Sequence, residues 1–293
     1  MPYVTETNLT NVVLERWQNI SDPRLRRIMQ SLIKHLHGFV REIEPTQAEW
    51  ATTIDWLTRT GKMCSDRRQE FVLASDVLGV SMLVDAINHR RPSQATPSTV
   101  EGPFHVANAP AIADGADMAQ GAPGIPCFVS GMVRGLNGEP IAGAVLDLWQ
   151  TDGEGLYEDQ RDTKGPWMRG LYHTQPDGSF LIRTVAPIGY TIPMDGTVGE
   201  LMNRTNISHM RPAHIHFAVS APGYEELITH LFRSGDEYIE TDVVYAVKEP
   251  LIVDFIKKPA GKAPTGETVA TPFFEVRYDF VLQRKVEALA AAE

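Results

Sequence analysis

Cysteine is scarce in this 293-residue chain: Cys64 and Cys127 are its only two. A pair of cysteines supplies no disulfide framework for a chain of this size, so two reduced thiols are expected. No stretch approaches the roughly 20 consecutive apolar residues of a membrane span, and the N-terminus Met1-Pro2-Tyr3-Val4-Thr5-Glu6 has no basic region leading into an apolar run. The expected location is therefore cytoplasmic. Lys and Arg number 27 against 37 Asp and Glu, and the net charge is −10. Without a basic cluster, that balance argues against a nucleic-acid backbone or an anionic membrane surface as partner. Internal repeats and low-complexity tracts are also missing. A chain that is 43% hydrophobic and 22% charged should fold, as one large domain or as a major domain with a smaller appendage.

From Asn8 to Arg90 the apolar spacing is helical. Asp22-Pro23 places an N-cap and a first-position proline ahead of a stripe of Leu25, Ile28, Met29, Leu32, Leu36 and Val40. Thr46-x-x-Glu49 and Asp66-x-x-Gln69 each read as a capping box opening a further helix. These helices are too few and too amphipathic to close a core unaided, which points to oligomerisation through this region. Arg90 to Ser98 is a polar, proline-bearing linker, after which the periodicity turns from helical to alternating. We expect a helical dimerisation domain over 1–98 and a second domain over 99–293. Phe128, Ser130, Met132 and Arg134 alternate into the turn Asn137-Gly138, and Asp177-Gly178 joins the strand runs Leu171–Thr174 and Phe180–Arg183. With further strands at His214–Ser220 and Phe273–Gln283, the second domain is predicted to be an antiparallel β-sandwich, making the fold mainly β with a helical N-terminal part. Arg284 to Glu293 reads as a fraying terminal helix.

Within Arg211-Pro212-Ala213-His214-Ile215-His216-Phe217, a strand puts His214 and His216 on one face and Ile215 and Phe217 on the other. Two imidazoles offered to one point suit zinc, copper or iron, although strand histidines are often merely structural. A cupin would need a glutamate soon after the pair; Glu225 and Glu226 come too late. No acid stands at metalloprotease spacing either.

At five ordered stretches the chain resembles the intradiol ring-cleavage dioxygenases. These are Ser98-Thr99-Val100-Glu101-Gly102-Pro103-Phe104, Asp147-Leu148-Trp149 through Gly155-Leu156-Tyr157, Pro187-Ile188-Gly189-Tyr190, Arg211 to Phe217, and Ser220-Ala221-Pro222-Gly223-Tyr224. The resemblance implies one mononuclear non-haem Fe(III) per subunit, held by Tyr157, Tyr190, His214 and His216, with Tyr157 and His214 equatorial and Tyr190 and His216 axial. Phenolates are hard anionic oxygens and suit a ferric ion. It further implies that a vicinal aromatic diol displaces Tyr190, that O2 opens the ring to a cis,cis-muconic acid, and that Arg211 stabilises negative charge during the reaction. Strand alternation by itself sets Arg211 opposite His214, so that role also requires a bend at Pro212.

In Leu227-Ile228-Thr229-His230, catechol-cleaving members have glutamine where this chain has His230, and the sequence resembles the members that open hydroxyquinol, benzene-1,2,4-triol. The implied reaction yields 3-hydroxy-cis,cis-muconate, the enol form of maleylacetate. Catechol or a chlorocatechol is the alternative substrate, and a non-catalytic ligand-binding sandwich the alternative role. The same resemblance places Val100, Gly102, Pro103, Phe104, Ile192, Pro193, Val244, Leu73, Asp76 and His230 around the substrate. Asp76 is either on a solvated helix face or the acceptor for the third hydroxyl. A homodimer enclosing an apolar helical channel, able to hold phospholipid, is implied as well.

Overall fold

The computed structural model describes residues 3–65, 68–161 and 166–285. Two compact units divide the chain, Met1–Arg59 and Thr60–Glu293. The division falls inside a helix, upstream of the linker at which sequence periodicity changes.

The first unit holds α1 (Leu9–Arg16), α2 (Pro23–Ile43) and most of α3 (Gln47–Met63). Asp22 caps α2 by accepting the backbone N–H groups of Arg24 at 2.7 Å and Leu25 at 3.2 Å, with Pro23 at the first position. The box at α3 closes both ways: Glu49 N donates to Thr46 Oγ1 at 3.2 Å and Thr46 N to Glu49 Oε2 at 2.8 Å. On α2 only Ile33 is buried, while Leu25, Ile28, Leu32, Leu36 and Val40 lie exposed along one stripe. No helix among the described residues is long and apolar enough to cross a membrane.

The second unit takes the last turn of α3 together with α4 (Glu70–Val77) and α5 (Val80–Asn88), which therefore belong with the strands. Asp66 lies outside the described residues, and α4 opens at Glu70, later than the proposed box. The buried Glu70 carboxylate accepts from Val198 N at 2.9 Å at the start of α6 (Thr197–Met202) and pairs with Arg68 at 3.0 Å, which fixes α4 in place. Residues 90–99 do not behave as a free linker. Thr96, Ser98 and Thr99 are buried, and the segment is laced to two strands by Thr96 N to Val281 O at 3.0 Å and Thr99 N to Ile228 O at 2.8 Å. Its polar residues satisfy sheet edges instead of facing water.

Among the described residues fourteen strands follow: β1 (Pro126–Gly135), β2 (Val145–Trp149), β3 (Arg169–His173), β4 (Ser179–Val185), β5 (Tyr190–Thr191), β6 (Met210–Arg211), β7 (His214–Ser220), β8 (Leu227–Arg233), β9 (Ile252–Val253), β10 (Ile256–Lys258), β11 (Gly261–Lys262), β12 (Thr268–Val269), β13 (Phe273–Arg277) and β14 (Phe280–Leu282). One sheet runs β10-β13-β1-β14 with β4 also on β1; the other runs β3-β2-β7-β8-β9. Between them lies a core that includes Cys127, Val129, Leu146, Leu148, Ile182, Ile215, Phe217, Leu231 and Phe280. Most pairs are antiparallel, but β1 runs parallel to β13 and β14, and β8 runs parallel to β9.

Two local readings change. Asp177-Gly178 does not close a hairpin, because β3 pairs with β2 and β4 with β1; the turn carries the chain from one sheet to the other. Phe273–Gln283 is interrupted at Tyr278-Asp279, where Tyr278 N donates to Ser130 O at 3.0 Å and Asp279 Oδ1 accepts from Met132 N at 3.0 Å. A Cβ at Gly131 would stand 1.7 Å from Tyr278 O, so glycine alone admits this close crossing. Of the expected terminal helix, residues 286–293 lie outside the described residues, and Arg284 forms a bridge with Tyr224.

Candidate metal centre

Strand β7 sends Ile215, Phe217 and Val219 into the core, and alternation therefore delivers His214 and His216 to the outer face of their sheet. Register places Trp149 of β2 and His230 of β8 on either side of His216, and Phe232 beside His214. Trp149 stacks on the His216 ring with centroids 4.7 Å apart and planes at 19°. All three histidines are buried, and their nitrogens lie within 4.8 Å of one another, a group able to hold a metal ion.

The two tyrosines reach the same place from loops. Asp152 Oδ1 accepts from Glu154 N at 2.9 Å and Leu156 N at 3.2 Å, while Arg161 Nε donates to Oδ2 at 2.8 Å. Gly155 takes a positive φ of 81° in this turn, and Tyr157 emerges buried, stacked on Phe104 at 4.3 Å. Tyr190 sits on β5, paired with Arg211 of β6. A Cβ on the preceding Gly189 would lie 2.9 Å from the Tyr238 ring and 3.0 Å from Arg211 O, so only glycine lets β5 approach β6 so closely.

Four polar atoms converge. Tyr157 Oη is 3.2 Å from Tyr190 Oη and 3.1 Å from His216 Nε2, which is 3.1 Å from His214 Nε2. Donors each about 2.0–2.2 Å from one ion stand roughly 3 Å from their neighbours, so this spacing suits a shared cation. The tautomer agrees: His214 Nδ1 donates to Pro212 O at 2.6 Å, which leaves Nε2 unprotonated, its lone pair available as an acceptor. Burial, reinforced by Arg211, holds His214 well below the usual imidazole range, and burial with the neighbouring His214 does the same to His216. Neutral imidazole is the form a metal requires. Burial followed by the nearby Tyr190 pushes the Tyr157 phenol well above its ordinary range, so a cation must displace its proton to gain a phenolate.

A small cavity adjoins this cluster. Val100, Gly102, Pro103 and Phe104 form one side, Ile192, Pro193 and Val244 another, and Leu73 and Asp76 of α4 a third. Tyr190 and Arg211 also line it. Asp76 is buried, which removes the solvated-face reading; burial raises its carboxyl pKa against the opposing pulls of Ser81 and Arg211. His230 lies outside this lining, beside the other histidines, with Nδ1 hydrogen-bonded to Thr99 Oγ1 and Nε2 unpartnered among the described residues. Arg211 is buried and reaches His214 Nε2 through Nη1 at 3.2 Å, so the break in β structure at Pro212 does bring it to the histidine side.

Sequence reasoning missed three contributors. Asp242 pairs with Arg211, Trp149 stacks on His216, and His105 bridges Glu101 at 2.9 Å and Asp147 at 3.1 Å. Asp242 and Trp149 meet partners distant in sequence, and of the two carboxylates on His105 only Glu101, four residues away, is local.

Residues 100–284 match the dioxygenase family and residues 22–96 match the catechol dioxygenase N terminus. The chain is 46% identical to a 6-chlorohydroxyquinol 1,2-dioxygenase of Cupriavidus pinatubonensis, over 94% of this chain and 96% of that one. It is 44% identical to a hydroxyquinol 1,2-dioxygenase of a Rhizobium species, over 96% and 97%. Among solved structures it is similar to hydroxyquinol 1,2-dioxygenase from Pseudomonas putida, with a TM-score of 0.89, 43% identity, and coverage of 96% of this chain and 99% of that one. Together with a β-sandwich whose outer face gathers two tyrosines and three histidines beside a buried arginine, these matches establish that the chain belongs to the intradiol ring-cleavage dioxygenase family.

Proposed function

We propose that the chain is an Fe(III)-dependent dioxygenase that opens hydroxyquinol with O2 to 3-hydroxy-cis,cis-muconate, the enol form of maleylacetate. The observation that carries this reading is the convergence of Tyr157 Oη, Tyr190 Oη, His214 Nε2 and His216 Nε2 at 3.1–3.2 Å beside a cavity walled by apolar side chains. Those four atoms would hold the iron, whose role when bound is to engage a vicinal diolate and ready its ring for O2. Two phenolates and one hydroxide would balance the charge of a ferric ion.

The protein's own groups divide the remaining tasks. Tyr190, which lines the cavity, is placed to take a hydroxyl proton from the diol. Apolar walls at Leu73, Val100, Ile192 and Val244 hold a flat ring and keep water away from it. Arg211, whose Nη2 has no partner among the described residues, lines the same cavity, a permanent cation for negative charge that develops on the substrate. Asp76 offers an acceptor to the third hydroxyl, and His230 supports the donor cluster from the adjacent strand. In the balanced reaction both atoms of O2 enter the product, and the bond between the two hydroxyl-bearing ring carbons breaks as each carbon becomes a carboxyl group.

The exposed stripe on α2 and the exposed Trp50, Ile54 and Leu57 on α3 support a homodimer formed through the helical region and offer apolar surface to an acyl chain. Products from catechol, 4-chlorocatechol and hydroxyquinol, compared on iron-loaded protein, test the substrate assignment. In the same experiment His214→Ala and His216→Ala are expected to lose iron and visible absorption together. Stoichiometric iron in either variant would overturn the donor set, and faster turnover of catechol than of hydroxyquinol would overturn the substrate. A colourless wild-type protein that takes up no iron would leave only a ligand-binding sandwich.

A further inference from the structure

We infer that Asp242 is a positioning residue for the reaction, acting through Arg211 and through the backbone that carries Val244; this rests on the function proposed above. Asp242 is buried just after a single 3₁₀ turn, Ile239–Thr241. Its Oδ1 accepts from Arg211 Nε at 3.1 Å, and its Oδ2 accepts from Ala246 N at 2.9 Å. Both side chains of this ion pair are almost fully removed from water.

A guanidinium is a rigid planar fork, so fixing one edge orients the other. With Nε committed to Asp242, Nη1 is held 3.2 Å from His214 Nε2 and Nη2 is left unpartnered among the described residues, in a side chain that lines the cavity. The same carboxylate closes the turn that places Val244 on the cavity wall, since Ala246 N binds Oδ2 and Tyr245 N returns to Asp242 O at 3.0 Å. Tyr245 itself takes a positive φ of 58°, a conformation this closed turn imposes. One buried anion thus sets both the cation and an apolar wall of the site. An asparagine cannot replace it: with its oxygen toward Arg211, its amide donor would face the Ala246 N–H, and the countercharge would be gone.

A double-mutant cycle of Asp242→Asn and Arg211→Gln on the iron-loaded full chain tests this, with kcat and KM for hydroxyquinol, iron content and visible absorption as readouts. Asp242→Asn should retain iron and colour, lose about tenfold or more in kcat, and change KM by no more than about threefold, because Arg211 acts on charge that appears after binding. In the Arg211→Gln background the same substitution should cost less than about twofold. Additive losses would mean that Asp242 merely supports the fold, and a near-normal kcat in Asp242→Asn would also overturn the proposal. Should Asp242→Asn fail to fold, Asp242→Glu takes its place in the cycle; it keeps the charge but displaces the contact by one methylene, and the same non-additivity is required. Absence of ring cleavage by wild-type protein would instead refute the proposed function, so the two failures are distinct.

Discussion

The imidazole of His105 lies between two carboxylates, with Nδ1 2.9 Å from Glu101 Oε1 and Nε2 3.1 Å from Asp147 Oδ2. Hydrogen bonding to Asp147, then to Glu101, raises its pKa from 6.5 to about 9 against the opposing effect of burial. A histidine whose folded-state pKa lies above its unfolded value contributes stability that is fully present below about pH 6.5 and is lost as pH rises through about 9. That rise of about two and a half pH units, at about 1.4 kcal/mol each, sets a ceiling of roughly 3 kcal/mol. Glu101 is half exposed, so solvent screening reduces the contribution to about 1–2 kcal/mol. Urea unfolding of wild type and His105→Gln should therefore differ by about 1–2 kcal/mol at pH 6 and by little at pH 10. Titrations elsewhere in the chain cancel in this comparison. A difference that stays constant across that range would refute the argument, because it would mean that His105 contributes packing against Trp149 and no charge.

Gly131→Ala should destabilise by about 3 kcal/mol or more, because its Cβ would meet Tyr278 O at 1.7 Å in the middle of β1; Gly138→Ala, with nothing within 4 Å but a φ of +83°, should cost about 1 kcal/mol in the same urea assay. A smaller loss at Gly131 than at Gly138 would show that the crossing at Tyr278 can relax. Asp76→Ala should lower kcat/KM for hydroxyquinol by about 1.5–3 kcal/mol, the range for a hydrogen bond to a charged group, while catechol cleavage stays level or rises. Equal losses for both substrates would return Asp76 to a purely structural role in α4.

The parts of this fold legible from sequence are those governed by short periods. Alternation in His214–Ser220 separated the two histidines from the core residues, and the caps at Asp22 and Thr46 located helix starts within one residue. What stayed hidden depends on distant segments meeting. The Asp177-Gly178 turn has hairpin chemistry, yet its flanking strands join different sheets. Residues 90–98 have linker composition, yet their polar groups pair with β14 through Thr96 and with β8 through Pro97 O. Asp76 occupies a helix position where aspartate is ordinarily solvated, and only the packing of α4 shows it buried beside Arg211. Asp242 and His105 are in the same situation: ordinary residues in sequence, given their roles by partners 31 and 42 residues away.

Strand β7 lies in the interior of its sheet, hydrogen-bonded on both sides, and its alternate residues are among the most deeply packed in the protein. Amides in such a strand exchange with solvent through global unfolding, whereas short edge pairs and loops open locally at far lower free energy. The proposed donor set is therefore mechanically uneven. His214 and His216 can separate only if the sandwich comes apart, while Tyr190 rests on a two-residue strand whose partner is equally short. On the proposed ligand assignment, any rearrangement needed to admit a ligand would fall to the tyrosine side, with the histidine side as its fixed reference.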